Sequence, residues 1–148
     1  MEKLPQKQGR KLIVTLGIVS FALQHAWENL QCEPFFNHAP TNYMAADMFV
    51  AAMGDVGVTY LVYALIAFAS SSWRWLLNTW KGKQWILMLS IGLISSMSFE
   101  FLAKISKPWS YTRLAPLIPG FEISIIPVLQ FLILFPLSFF LTRYILNK

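Results

Sequence analysis

Four apolar stretches dominate this chain. They run from about Leu12 to Leu30, Tyr43 to Ser70, Gln84 to Ala103 and Phe121 to Thr142. Short polar or proline-containing segments separate them. A helix needs ~20 residues to cross the hydrocarbon core of a bilayer, and every stretch is long enough. The second is longer than needed, which predicts tilt or an extension past the headgroups. The expected fold is all-α: a polytopic bundle of four transmembrane helices, forming one integral membrane domain over residues 1–148. The start of the chain also has features of a signal peptide: a basic tail, an apolar run from Leu12 to Phe21, and Ser20-Phe21-Ala22. The apolar pattern continues to Leu30 and three further stretches follow, so an uncleaved first helix is the simpler expectation.

Composition supports this reading. Of 148 residues, 56% are hydrophobic and 13% are charged, about half the charged fraction usual for a soluble domain. Too little polar sequence remains for a separate soluble domain. The net charge of +5 does not point to nucleic acid, because the basic residues lie in loops and tails and form no basic helix face. They read instead as topology signals. Lys3, Lys7, Arg10, Lys11, Arg74, Lys81, Lys83, Arg143 and Lys148 fall on one side; Lys104, Lys107 and Arg113 fall on the other. Nine against three predicts that both termini are cytoplasmic, in a bacterial inner membrane. Trp73, Trp75, Trp80 and Trp85 surround the loop on the basic side, and Trp27, Tyr43, Trp109 and Tyr111 lie toward the other, as interfacial aromatic belts do. The single cysteine, Cys32, forms no intramolecular disulfide and reads as a small packing residue near a helix end.

The acidic residues sharpen the picture. Glu28, Glu33, Asp47, Asp55, Glu100 and Glu122 fall toward the non-cytoplasmic side, and only Glu2 lies in the cytoplasmic tail. Asp55 lies ~18 Å along its helix from Tyr43, near the bilayer centre. An ionised Asp there costs ~3 kcal/mol on the insertion scale, so Asp55 should face the bundle, find a partner or be protonated. Gln24, Glu28 and Gln31 share one helical stripe, with His25 beside it. Asp47 and Asp55 are eight residues apart and point to one side; Ser96 and Glu100 are four apart. Ala51, Ala52, Gly54 and Gly57 predict a closely approaching neighbour helix. Gln130 sits between Pro127 and Pro136, each expected to free a helix carbonyl.

Together these residues predict a polar pocket in the outer half of the bundle. His25, Glu28, Asp55 and Glu100 are the candidate catalytic groups: His25, Glu28 and Glu100 as acid–base residues, Asp55 to orient or polarise a partner. Trp109 and Tyr111 would line its entrance, Arg113 would close it from the loop, and Gln130 would bind substrate. No metal site is expected, since His25 and Glu28 form the only compact pair and no H-E-x-x-H or paired E-x-x-H pattern occurs. No cofactor is expected either: phosphate-loop and dinucleotide fingerprints are absent, as is a G-x-S-x-G nucleophile motif.

The stretch from Glu100 to Gln130, with Pro108-Trp109-Ser110-Tyr111, Pro116-Leu117-Ile118-Pro119-Gly120 and Ile126-Pro127-Val128-Leu129-Gln130, is the most distinctive. With His25-Ala26-Trp27-Glu28 and Gly54-Asp55, it resembles a group of small, uncharacterised bacterial four-helix inner-membrane proteins. It is more weakly similar to membrane carotenoid cyclases and hydratases, which share an acidic helix end, a W-x-Y-like loop, a glycine and a proline-bearing helix. That likeness implies carboxylates that protonate or steady an isoprenoid cation, with Glu100 as the matching acid. A further weak similarity, to the emopamil-binding and sterol-isomerase group, rests on His and Glu in the first of four helices and on Gly-Asp; here His25 and Glu28 are three apart rather than four. The expected function is therefore a lipid- or isoprenoid-modifying enzyme. The alternatives are a non-catalytic accessory subunit or assembly factor and a small proton-coupled transporter. Membrane lipids and a hydrophobic small molecule are the expected partners; an oligomer or a partner membrane protein stays open.

Overall fold

A computed structural model describes residues 5–38, 44–106 and 109–148. The expected helix start at Tyr43, the loop prolines Pro40 and Pro108, and Glu2, Lys3 and Lys107 lie outside the described residues. Among those described, the chain forms four long helices: α1 (Gln6–Phe35), α2 (Met44–Ala69), α3 (Gly82–Ser106) and α4 (Ile125–Leu146). Three of them, α2, α3 and α4, are long and apolar enough to cross a bilayer. Helix α1 falls outside that class because its second half is polar.

The helices run up and down. Ser20 of α1 bonds Thr59 of α2 at 2.9 Å, and the Tyr60 hydroxyl donates to the Ile13 carbonyl at 2.9 Å. Residue numbers rise along α1 as they fall along α2, which makes the pair antiparallel. Helix α1 also lies against α4, and α3 lies against α4; α2 and α3 share a narrower contact. That contact includes the α2–α3 connection, where Gln84 donates to Ser70 at 3.1 Å.

The apolar core fills the half of the bundle that holds the termini. Leu12 and Leu16 meet Val62, Tyr63 and Ile66 of α2, Met88 of α3, and Phe131, Phe135 and Phe139 of α4. Trp75, expected at the headgroups, is a core residue instead. It lies in a single 3-10 turn (Trp75–Leu77), is 3% exposed, donates its indole N–H to the Tyr63 carbonyl at 3.1 Å and packs edge-on against Phe139. The turn folds the indole back over the bundle, where its one polar atom is satisfied by a backbone acceptor.

The opposite end carries more order than the irregular loops expected there. Helix α1 runs to Phe35, so Glu33 is helical rather than in a loop. Strand β1 (Phe36–His38) pairs antiparallel with β2 (Trp109–Tyr111). Just beyond β2, Thr112 caps α1: its amide donates to the Phe35 carbonyl at 3.1 Å and its hydroxyl to the Pro34 carbonyl at 2.7 Å. A helix end leaves such carbonyls without partners, and the ribbon supplies them. Strands β3 (Leu117–Ile118) and β4 (Ile123–Ser124) form a hairpin. Its Pro119-Gly120 corner has Gly120 at φ +84° with Phe121 N–H on the Ile118 carbonyl at 3.2 Å, the arrangement of a type II turn. Helix α4 therefore begins at Ile125 rather than Phe121, and Glu122 belongs to the hairpin. Pro127 sits in the first helical turn, where no intrahelical N–H bond exists to lose; only Pro136 lies inside α4.

Candidate functional site

Along the inward stripe of α1, buried residues change character. Leu12 and Leu16 are apolar, while Ser20, Gln24 and Gln31 are polar and also buried. The change sets where the bundle can close with hydrocarbon and where it must pair polar groups.

The pairing centres on Gln130, 2% exposed on α4. Its Nε2 lies 2.9 Å from Gln24 Oε1, 2.9 Å from Glu28 Oε1 and 2.8 Å from Asp55 Oδ2. Its Oε1 accepts from Gln31 Nε2 at 3.2 Å, and Gln31 Oε1 in turn accepts from the Trp27 indole at 2.8 Å. One amide nitrogen carries two hydrogens, yet three acceptors surround it. The carboxyl groups of Glu28 and Asp55 are thus brought together on one amide nitrogen. Among the described residues, Gln24 Nε2 is buried without a partner on the same network. Thr59, the partner of Ser20, donates to the Asp55 carbonyl at 2.9 Å, so the polar seam between α1 and α2 continues one turn below.

Above this network lies a cavity of about 570 Å³. Helix α1 contributes Glu28, Gln31 and Cys32; α2 contributes Asp47, Met48, Val50, Ala51, Gly54 and Asp55; α3 contributes Ser96, Phe99, Glu100, Leu102 and Ala103; α4 contributes Pro127, Gln130 and Phe131. The volume falls in the range of small-molecule sites. Most of the wall is apolar. Its charged groups are all carboxylic: among the described residues, no Lys, Arg or His lines it.

The small residues of α2 do the reverse of what their sizes predict. A Cβ at Gly54 or Gly57 would meet nothing within 4 Å. These glycines border open space instead of receiving a neighbouring backbone. Close approach occurs elsewhere, at Gly17, where a Cβ would come within 2.2 Å of the Tyr60 hydroxyl oxygen. The opening between α2 and α3 is flanked by Val50 and Leu102, which are 68% and 59% exposed.

Glu100 closes the ribbon end of the cavity. It is 1% exposed; one of its oxygens accepts the Tyr111 hydroxyl and the Ser124 amide, the latter at 3.3 Å. Ser124 is the N-cap of α4, so an acidic group sits beside a helix N-terminus, where the helix dipole favours it. Burial, and then the Glu100 carboxylate beside it, raise the Tyr111 phenol above its ordinary value. At the hairpin corner, Lys104 reaches Glu122 at 2.8 Å; that bond and the positive charge lower Glu122 from the usual carboxylate range.

The expected site residues thus divide. Glu28, Asp55, Glu100 and Gln130 line one cavity. His25 does not: it is half-buried on a neighbouring face of α1, stacked on Phe21 with ring centroids 5.4 Å apart, and within 3.5 Å of the Asn29 amide. The stripe carries Gln24, Glu28 and Gln31 inward and turns His25 one step round the helix. Tyr111 meets the site through Glu100. Arg113 is exposed and outside the lining. Trp109 lies on β2, with its side chain outside the described residues. Gln24 and Gln31 carry the network and were visible in the α1 spacing; Phe99 and Phe131 give no signal that separates them from other apolar residues. No group of three metal-ligating side chains occurs among the described residues. Comparison with family models, curated proteins and solved structures finds no match for this chain.

Proposed function

We propose that this is a four-span membrane protein whose cavity takes a lipid- or isoprenoid-like molecule and acts on it by acid–base chemistry. The convergence of Glu28, Asp55 and Glu100, from three different helices, on one largely apolar cavity carries this reading. Two carboxyl groups in contact share a proton more readily than they both ionise. Glu28 and Asp55 then act as a donor and an acceptor within reach of one ligand atom, as general acid–base catalysis requires. Asp55 is held by Gln130, and Glu100 is held by Tyr111 and Ser124. His25 has no part in this version of the site. The likeness of Glu100 and its following loop to the cyclase and hydratase pattern favours an isoprenoid chain as substrate.

Helix α1 completes the membrane domain in this reading. Its polar residues Ser20, Gln24 and Gln31 are buried, while Val14 and Ile18 point outward at 51% and 66% exposure. An outward apolar surface with an inward polar stripe suits a helix that meets lipid on one side only. In this reading the membrane is a bacterial inner membrane, and the nine-to-three division of basic residues favours cytoplasmic termini.

The test is a comparison of lipid extracts by mass spectrometry. Cells producing the wild-type chain should gain or lose a specific lipid or isoprenoid species, and cells producing Asp55→Asn or Glu28→Gln at equal membrane levels should not. Identical extracts from wild-type and empty-vector cells would contradict the enzymatic reading. The accessory-subunit reading is favoured by one observation: Glu100 is engaged by Tyr111 and Ser124, both joints of the fold.

A further inference from the structure

The cavity's chemistry is one-sided. Glu28, Asp47, Asp55 and Glu100 line it, and among the described residues no cationic side chain does. At the ribbon end, Lys104 is bonded to Glu122 on the hairpin. Glu28 and Asp55 both lie on the Gln130 amide nitrogen, at 2.9 and 2.8 Å, among apolar walls. Negative charge so placed is costly unless a positive group approaches it. Helix α4 offers only an amide there, and that amide is over-subscribed: Gln130 Nε2 meets three acceptors with two hydrogens. Gln130 is thus ringed by more acceptors than its own two amide hydrogens can satisfy.

The rest of the cavity describes the remainder of a ligand. Val50, Ala51, Phe99, Leu102 and Phe131 form an apolar wall that reaches the gap between α2 and α3. Gly54 keeps that gap clear, since no atom of the described residues stands within 4 Å of where its Cβ would be. A chain can therefore extend through the gap toward lipid while its head stays inside.

Resting on the reading of this cavity as a substrate site, we propose that its occupant is a single-chain cationic amphiphile. A hydrocarbon or isoprenoid tail lies between α2 and α3, and a terminal amine or ammonium group meets the Glu28–Asp55 pair. The ammonium group donates to the acceptors that Gln130 leaves unsatisfied, a charge-assisted contact stronger than a neutral one. A neutral alcohol with the same tail fills the cavity but lacks that contact.

The experiment compares hexadecylamine with hexadecanol, titrated into the full-length protein in phosphatidylcholine nanodiscs and read by native mass spectrometry, with protein-free nanodiscs as the partition control. The proposal expects the amine to bind at least tenfold more tightly than the alcohol, and Glu28→Gln/Asp55→Asn to erase that preference. Gly54→Leu, which has room to fold and places its side chain in the gap, should abolish binding of both. Equal binding of amine and alcohol, with both blocked by Gly54→Leu, would overturn the cationic assignment and leave the cavity reading standing. An amine preference that survives the double substitution would overturn the role of the Glu28–Asp55 pair. Failure of both probes to bind the wild type, or binding indifferent to Gly54→Leu, would overturn the proposal together with the reading on which it rests.

Discussion

The two halves of the bundle close in different ways. In the half that holds the termini, Leu12, Leu16, Tyr63, Trp75, Phe135 and Phe139 interlock and Gly17 admits the Tyr60 hydroxyl to the α1 backbone. In the half that holds the ribbons, the same four helices leave a cavity of about 570 Å³, and polar hydrogen bonds replace hydrocarbon contact. The difference follows from one stripe of α1. Apolar residues at the first inward positions let the helices close; Ser20, Gln24 and Gln31 at the later ones require partners, and the partners hold α4 and α2 at fixed places. Packing against lipid gives little driving force for helix association, so the open half depends on its hydrogen bonds and on the ribbons.

The largest effect should come from Gln130→Leu, which leaves Glu28, Asp55 and the Gln24 carbonyl oxygen without their common donor. Removing one member of a buried charged network costs ~3–5 kcal/mol, read as unfolding free energy in detergent; a loss below ~1 kcal/mol would mean that the network does not hold the ribbon half together. Next is a pair of truncations. Phe135→Ala, in the closed half, should cost ~2–4 kcal/mol through the cavity it creates. Phe99→Ala, on the wall of the open half and 46% exposed, should cost less than ~1 kcal/mol, because lipid replaces the lost contacts. Equal costs would erase the distinction between the halves.

Two glycines sharpen it further. Gly17→Ala must displace Tyr60 and its bond to Ile13, at ~1–3 kcal/mol. Gly54→Ala meets no atom and should be neutral or stabilising by up to ~1 kcal/mol through helix propensity. The sequence offers no means of telling these glycines apart. Gly54 and Gly57, near Ala51 and Ala52, form the more obvious small-residue surface, yet the close approach is at Gly17. What decides it is the position of Tyr60 on another helix, a tertiary fact.

Other features were legible because they depend on local spacing alone. The inward stripe of Gln24, Glu28 and Gln31, the shared side of Asp47 and Asp55, and the Ser96–Glu100 turn all follow from 3.6-residue periodicity, and all but Gln24 line the cavity. His25 shows the limit of that reasoning: one residue away from the stripe is ~100° around the helix, enough to place it outside. The ribbons were hidden for a different reason. Strands of two or three residues carry no periodic signal, and β1 finds its partner about seventy residues later, at β2.

Smaller effects probe the ribbon end. Tyr111→Phe removes a donor from Glu100 and should cost ~1 kcal/mol, most visibly as faster amide exchange in β1 and β2. In the wild type, the Tyr111 phenol is raised, so its contribution is fully present below the ordinary tyrosine range and is lost as pH rises through the higher folded value. The smallest effect belongs to Glu122, whose lowered value means its pairing with Lys104 is present above the ordinary carboxylate range and is lost as pH falls through the folded value. Both groups are exposed, so acidification should loosen the hairpin corner in hydrogen exchange with little change in global stability.

The most direct test of the open half is chemical. Dicyclohexylcarbodiimide, an apolar reagent that partitions into lipid, attacks protonated carboxyl groups; its water-soluble analogue does not reach them through a bilayer. In proteoliposomes, the apolar reagent should modify Glu28 or Asp55, mapped by mass spectrometry of peptides, and Gly54→Leu should suppress the modification. Absence of modification at both residues, or equal modification in Gly54→Leu, would contradict a cavity that opens between α2 and α3 onto the Glu28–Asp55 carboxyl pair.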